Sequence, residues 1–307
     1  MRKLAVALGT LTLLMFGWAV PPSGAAHSIV LQRAQTTPVA LDPIRFREGQ
    51  AGLIVTGWIN GAGPFMFAID TGAGASIVTD RVVSGARLAV SKSRRPLIGG
   101  LSSVAIKSDS EARPNSVSLG NINNTAPAKP LLAIVSTLPG GIDGILDPAE
   151  LFAAMAYSVD LPNKQLLVFD AKANGLDLSH APKEGAVVRW VQQGSSGRPF
   201  VRLGDGRLAL IDTGSGLGLA LNDSVRGTGS NHSQRGVSDL GGGTVQTRSL
   251  EPTTVNIGAL VLRGVPTDVL IGVPSGTPVI LGRRALYPFK ITFDPKARLI
   301  AFEPTLK

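Results

Sequence analysis

The sequence predicts a predominantly β protein built from two similar halves. The tetrapeptide Ile-Asp-Thr-Gly occurs at 69–72 and again at 211–214, each time at the end of an apolar, strand-like run. Each half later contains an apolar segment followed by a hairpin-like pattern, over 144–169 and 279–302. Helical periodicity is scarce throughout, which favours an all-β fold class. Repetition of whole segments in the same order indicates an internal duplication.

The first 26 residues have the features of a secretory signal peptide. Arg2 and Lys3 precede an apolar run over 4–20, and small residues lead to Ala26. Such a segment is removed on export, which predicts a secreted, periplasmic protein. The length of the run leaves one alternative, an uncleaved N-terminal segment that anchors the chain in a membrane. No stable membrane insertion is expected after cleavage, because no later run is long and apolar enough.

Composition argues against several other functions. The 30 Lys and Arg against 21 Asp and Glu give a net charge of +9, but the excess is scattered, with basic pairs at 94–95 and 283–284. Nucleic-acid binding, which needs basic residues interleaved with aromatic ones, is not expected. The three histidines, His27, His180 and His232, lack metal-ligand spacing, so no metal and no cofactor are expected. The absence of cysteine fits a bacterial periplasmic protein without disulfides.

After the signal peptide, the chain is expected to begin with a polar tether or edge strand over 27–50. Alternating and apolar runs over 53–67, broken by glycines, then predict two strands joined by a turn that lead directly into Asp70. A short helix is the most that the pattern over 148–156 allows. The polar stretch over 170–185 marks the join between the halves.

The two Asp-Thr-Gly sequences predict a site built from Asp70 and Asp212. Two carboxyl groups held close together cannot both ionise cheaply, so the pair shares one proton and titrates as a unit. Such a pair can take a proton from a water molecule and donate another to a substrate carbonyl oxygen. This chemistry hydrolyses an amide without a covalent intermediate.

The residues around the two acids have supporting roles in this interpretation. Gly72 and Gly214 let the two loops approach each other, because glycine has no Cβ. The hydroxyl groups of Thr71 and Thr213 can both donate and accept, so they are expected to cross-link the loops.

The motifs also differ, since Ser215 stands where the first half has Ala73. A Ser215 hydroxyl bonded to Asp212 would make that carboxyl the one that holds the charge. The alternative is a serine that only satisfies its own turn.

At these motifs the sequence resembles the aspartic peptidases of the pepsin and retropepsin type, in which two Asp-Thr-Gly loops meet at the centre of a bilobed fold. The likeness extends to the distal segments at 144–147 and 279–282, although Asp147 replaces the usual glycine. The resemblance implies a two-lobed pepsin-like fold made of two homologous retropepsin-like β-barrel lobes, at 51–178 and 179–307.

The resemblance also implies a hairpin flap that closes over the substrate. The candidate is the glycine-tipped segment 98–103, and an ordinary β-turn is the alternative; the flap residues proposed for substrate binding are Ile98, Gly99, Gly100 and Leu101. The segment 227–243 is either a second flap or a loop without substrate contact. Pepsins carry a flap tyrosine, whereas Tyr157 and Tyr287 here lie in the distal segments, so the flap is more similar to that of retropepsins.

The function expected from the resemblance is an aspartic endopeptidase with peptide or protein substrates. One chain carries both motifs, so a monomer is expected to build the whole site. The alternative is a catalytically inactive, peptidase-like module that binds extended peptides. Asp147 is the argument for it, because this departure predicts different packing around the first loop.

Overall fold

The computed structural model describes residues 41–93, 97–102, 105–152, 155–169, 178, 180–193, 197–222, 234–239 and 243–305. The predicted signal peptide at 1–26 and residues 27–40 of the predicted tether lie outside the described residues. So do residues 170–177 and 179, next to the boundary at 178, and the domain limits therefore stay predictions. Within the described part of the chain, no helix is long and apolar enough to cross a membrane.

Short strands dominate the first half of the chain. They are β1 (Ile44–Arg45), β2 (Arg47–Gly49), β3 (Gly52–Ile59), β4 (Ala62–Ile69), β5 (Ser76–Thr79), β6 (Val90–Lys92), β7 (Leu97–Gly99), β8 (Ala105–Lys107), β9 (Ser110–Ala112), β10 (Val117–Leu119), β11 (Leu132–Val135), β12 (Gly144–Leu146), β13 (Ala156–Asp160) and β14 (Gln165–Phe169). The helices α1 (Asp80–Gly85) and α2 (Pro148–Phe152) are short, and a 3₁₀ turn covers Pro139–Gly141.

The second half has longer strands and one helical turn. They are β15 (Ala186–Arg189), β16 (Phe200–Arg202), β17 (Leu208–Asp212), β18 (Leu219–Asn222), β19 (Gln234–Ser238), β20 (Thr244–Ile257), β21 (Leu260–Ile271), β22 (Val279–Gly282), the helix α3 (Arg283–Leu286), β23 (Phe289–Asp294) and β24 (Leu299–Pro304). The predominantly β class predicted from the sequence is confirmed.

The two halves repeat the same central strand arrangement. In the first half, β4, β12, β5 and β11 are neighbours in that order within a nine-stranded sheet. In the second half, β17, β22, β18 and β21 are neighbours in the same order within a seven-stranded sheet. The central pair is antiparallel and its outer neighbours are parallel in both sheets. The duplicated sequence therefore folds into duplicated topology.

A third, six-stranded sheet joins the halves, in the order β1, β14, β13, β23, β24, β15. Its two central strands come from different halves, because β13 pairs antiparallel with β23. Ser158 and Thr292 lie opposite each other in this pair, and their hydroxyl oxygens are 2.7 Å apart. The two matching hairpins of the sequence thus form one continuous sheet.

The apolar core continues beneath this shared sheet. Tyr157 stacks on Phe293 with 4.9 Å between the ring centroids, and Phe152 packs against Tyr157 at 5.6 Å. All three side chains are fully buried. Aromatic side chains bury much apolar area each, so contacts of this kind between the halves favour a single folded unit.

Candidate active site

The two acids lie at the ends of equivalent strands. Asp70 directly follows β4 and Asp212 is the last residue of β17. Each strand is buried beside a parallel neighbour, β12 and β22 respectively. The Asp70 amide donates to the carbonyl oxygen of Leu146 at 3.1 Å, which continues the pairing of β4 with β12 past the end of the strand. Regular strands therefore fix the position at which each acid enters its loop.

Two threonines join the loops that carry the acids. The Thr71 amide donates to Thr213 Oγ1 at 3.2 Å, and the Thr213 amide donates to Thr71 Oγ1 at 3.0 Å. Each hydroxyl also donates across the interface, Thr71 to the carbonyl oxygen of Ile211 at 2.7 Å and Thr213 to that of Ile69 at 3.4 Å. Both threonines are fully buried, so water does not compete for these bonds.

The glycine after each threonine faces the acid of the opposite loop. A methyl group on Gly72 would lie 2.6 Å from Cγ of Asp212, and one on Gly214 would collide with the Asp70 carboxyl group. The requirement for glycine comes from this close approach. The two carboxyl groups are consequently brought together at the contact between the loops.

Backbone amides bind one oxygen of each acid. The Gly72 amide donates to Asp70 Oδ1 at 2.7 Å, and the Ser215 amide donates to Asp212 Oδ1 at 2.8 Å. Of the two alternatives for the Ser215 hydroxyl, the structure supports the one in which it satisfies its own turn. This hydroxyl accepts a hydrogen bond from the Leu217 amide at 3.2 Å, which stabilises the turn of the loop.

Burial and mutual charge separate the protonation of the two acids. Burial raises the pKa of Asp70 well above its ordinary value, and the negative charge of Asp212 raises it further. Burial also raises the pKa of Asp212, but hydrogen bonds from the Ser215 amide and from Asp70 oppose this rise. These opposing effects favour Asp70 as the member that holds the shared proton and Asp212 as the member that holds the charge.

Arg283, in the first position of α3, supports the second loop. Its Nη1 donates to the carbonyl oxygens of Thr213 and Gly214, at 2.7 Å each. Burial lowers the pKa of this guanidinium, while the charges of Glu48 and both acids oppose that effect. Sequence reasoning noted Arg283 only as half of a basic pair. The residue also lines a cavity of about 380 Å³ together with Glu48, Gly216, Arg284 and Tyr287.

In the first half, Asp147 occupies the position that Gly282 has in the second half. Its amide donates to Ser76 Oγ at 3.2 Å, and its Oδ1 accepts from the Ala149 amide at 2.9 Å. The side chain is buried, and desolvation raises the pKa of Asp147 to about 7. The departure from the family pattern is thus accommodated by local hydrogen bonds.

The segment predicted as a flap forms a hairpin in which β7 pairs with β8. Ile98 and Gly99 belong to β7, Gly100 and Leu101 follow it, and residue 103 lies outside the described residues. Of the second predicted flap, 227–243, the structure describes only 234–239, which includes β19, and residue 243.

The part of the chain that the structure describes contains no candidate metal site. There, no group of three or more His, Cys, Asp or Glu side chains is arranged to hold a metal ion. His180 is described, whereas His27 and His232 are not.

Comparisons with known proteins bear on the family and on the fold. The family model described as aspartyl protease matches residues 55–146, which include the first acid and β12. The crystal structure of an aspartic proteinase from Irpex lacteus matches with a TM-score of 0.51 and 13% identity, over 87% of this chain and 97% of that one. No curated protein matches the sequence.

The fold is therefore the two-lobed fold of pepsin-like aspartic proteinases, as the sequence predicted. The family match and this fold together support the aspartyl protease superfamily, and with it an aspartic peptidase in general.

Proposed function

We propose that the chain is an aspartic endopeptidase whose dyad consists of Asp70 and Asp212. The observation that carries this proposal is the pair of cross-linked loops, which place each glycine against the opposite carboxyl group. Buried, closely held carboxyl groups with unequal pKa values are the arrangement that shared-proton chemistry requires.

The reaction follows from these protonation states. The Asp212 carboxylate takes a proton from a water molecule as the water oxygen attacks the peptide carbonyl carbon, and Asp70 donates its proton to the carbonyl oxygen. The resulting diol then collapses. Asp212 gives its new proton to the leaving nitrogen, the C–N bond breaks, and a diol proton returns to Asp70. The products are a carboxylic acid and an amine, and the dyad is regenerated.

The proposal extends to the substrate, the assembly state and the location. An extended peptide is the substrate, bound in part by strand-like main-chain hydrogen bonds. A monomer is sufficient because one chain supplies both acids, so activity per molecule should not fall on dilution. The periplasmic location rests on the signal-like sequence at 1–26.

The test is cleavage of a diverse peptide pool by the mature chain between acid and neutral pH. Asp70→Asn and Asp212→Asn should each lower the rate at least about 100-fold, because each removes one partner of the proton transfer. Asp80→Asn is the matched control, since Asp80 is exposed at the start of α1. The control should cleave like the unsubstituted chain.

Two results would contradict the proposal. Cleavage that survives in both dyad variants would mean that another group performs the chemistry. Peptides that bind without being cut at any pH would favour the inactive binding module instead.

A further inference from the structure

The tip of the β7–β8 hairpin, which belongs to the first half, touches the second half of the chain. The Ser102 amide donates to Asp239 Oδ2 at 2.6 Å. The neighbouring Gly100 lies so close that a Cβ on it would collide with the same carboxylate. The contact therefore needs both the Ser102 backbone amide and a residue without a side chain at position 100.

Asp239 is held in position by its own loop, directly after β19. Its Oδ1 accepts from the Gly243 amide at 3.0 Å, and its own amide donates to the Gly243 carbonyl oxygen at 2.9 Å. The residue is only 8% exposed. One oxygen thus fixes the carboxylate to the second half while the other binds the hairpin, and hydrogen bonds to an ionised acceptor are stronger than neutral ones.

An apolar contact accompanies this polar one. Leu101 packs against a buried cluster of the second half formed by Leu217, Ala220, Val245, Leu270 and Ile280. Leu217 belongs to the loop that carries Asp212, since its amide binds Ser215 Oγ. The hairpin tip consequently rests beside the second catalytic loop.

We propose that Asp239 is a latch that holds the hairpin of the first half closed against the second half, and that an entering peptide must release it. Asp239 holds the hairpin through the Ser102 amide, and the apolar cluster of the second half holds it through the Leu101 side chain. The consequence for peptide entry rests on the proposed peptidase function, whereas the latch itself does not.

Amide hydrogen exchange in the full-length protein tests the latch without any substrate. Asp239→Ala should speed exchange of the segment 97–102 at least about tenfold, because the Ser102 amide loses its acceptor. Leu101→Ala should speed this exchange as well, because the contact with the apolar cluster of the second half is lost. Asp205→Ala is the control, since Asp205 is an exposed carboxylate of the second half, paired with Arg207. Equal exchange rates in the Asp239 variant and the control would overturn the proposal.

A cross-link gives a second test, because the chain has no cysteine of its own. In Ser102→Cys/Asp239→Cys, closure by a disulfide should slow binding of a fluorescent extended peptide at least tenfold. Reduction of the disulfide should restore binding. Unchanged binding by the closed form would show that the hairpin does not control entry.

These readouts separate the two proposals. Faster exchange in Asp239→Ala with no cleavage by any form would support the latch and refute the peptidase. Dyad-dependent cleavage with unchanged exchange in Asp239→Ala would support the peptidase and refute the latch.

Discussion

Gly72 and Gly214 show how single residues set the separation of the acids. In Gly72→Ala, the added methyl group would sit 2.6 Å from Asp212 Cγ, so the loops must move apart. Peptide cleavage should fall at least about 100-fold, since misplaced catalytic groups lose much of their effect. Gly197→Ala is the matched control, because nothing lies near that position. Equal kcat/KM values for the two variants would contradict this explanation.

The Ser215 amide, rather than its hydroxyl, binds Asp212. We expect a bell-shaped pH profile in which the acid limb reports protonation of Asp212 and the basic limb reports ionisation of Asp70. Both limbs should lie above the ordinary carboxyl pKa, because burial raises both values. Ser215→Ala keeps the amide bond, so its acid limb should coincide with that of the unsubstituted chain. A displaced limb would restore a role for the hydroxyl.

Asp147 should make stability depend on pH. Its pKa is raised to about 7 in the folded protein, so the folded state binds more protons than the unfolded state between about pH 4 and 7. Stability from this group is present below that range and is lost as the pH rises through it. Asp147→Asn keeps an oxygen for the Ala149 amide and removes this loss, which is on the order of 4 kcal/mol at most.

Denaturant unfolding at pH 5 and pH 8 would measure the effect of Asp147. Both proteins contain Asp70 and Asp212, so the titration of these two acids cancels when their free energies of unfolding are subtracted. Parallel stability curves for the two proteins would show that the group does not titrate in this range.

At the residue scale, the sequence was informative where chemistry depends on residue type. A carboxyl pair, two hydroxyl groups and two glycines follow directly from the repeated Asp-Thr-Gly. The Ser215 bond could not be predicted, because a backbone amide is present at every non-proline position and its direction depends on the turn.

Among the elements, α3 has a role that its four residues did not suggest. Its first residue, Arg283, donates to two carbonyl oxygens of the loop after Asp212. In Arg283→Ala these groups lose their donor, so the free energy of unfolding should fall by about 1–3 kcal/mol and cleavage should slow. Arg284→Ala is the control, because this neighbour is exposed and should change stability by less than about 0.5 kcal/mol. Equal unfolding midpoints for both variants would rule out this role.

The hairpins were predictable because glycine and polar turns separate apolar runs in the sequence. The support that α3 gives the second loop was not. Arg283 lies 70 positions after Thr213 and 69 positions after Gly214. Sequence periodicity carries no information about pairs that are so far apart in the chain.

For the whole molecule, the six-stranded sheet predicts that the halves unfold together. β13 and β23 lie at its centre, and Tyr157 stacks on Phe293 across them. Trp58 in β3 and Trp190 after β15 report on different halves and are the two tryptophans beyond residue 26. Single-tryptophan variants, Trp58→Phe and Trp190→Phe, should each show one transition, with the same midpoint when circular dichroism and fluorescence are compared in each. A fluorescence midpoint that departs from the circular dichroism midpoint would show that the halves unfold separately.

The duplication itself was visible in the sequence, since both halves repeat their motifs in order. The pairing of β13 with β23 was not, because each hairpin satisfies the same local pattern whether or not it meets its counterpart. Edge strands with unpaired backbone groups bind whatever strand the tertiary structure presents, and only the folded molecule determines that partner.

The two halves differ at an equivalent position beside the loops that carry the acids. Asp147 of the first half is the counterpart of Gly282 in the second half. A side chain at position 282 would collide with the carbonyl oxygen of Leu217. In an assembly of two identical subunits, every residue appears twice, so an aspartate tolerated at one position would also be imposed on the other. Encoding both halves in tandem removes that constraint and lets each half evolve its own contacts while the shared centre is preserved.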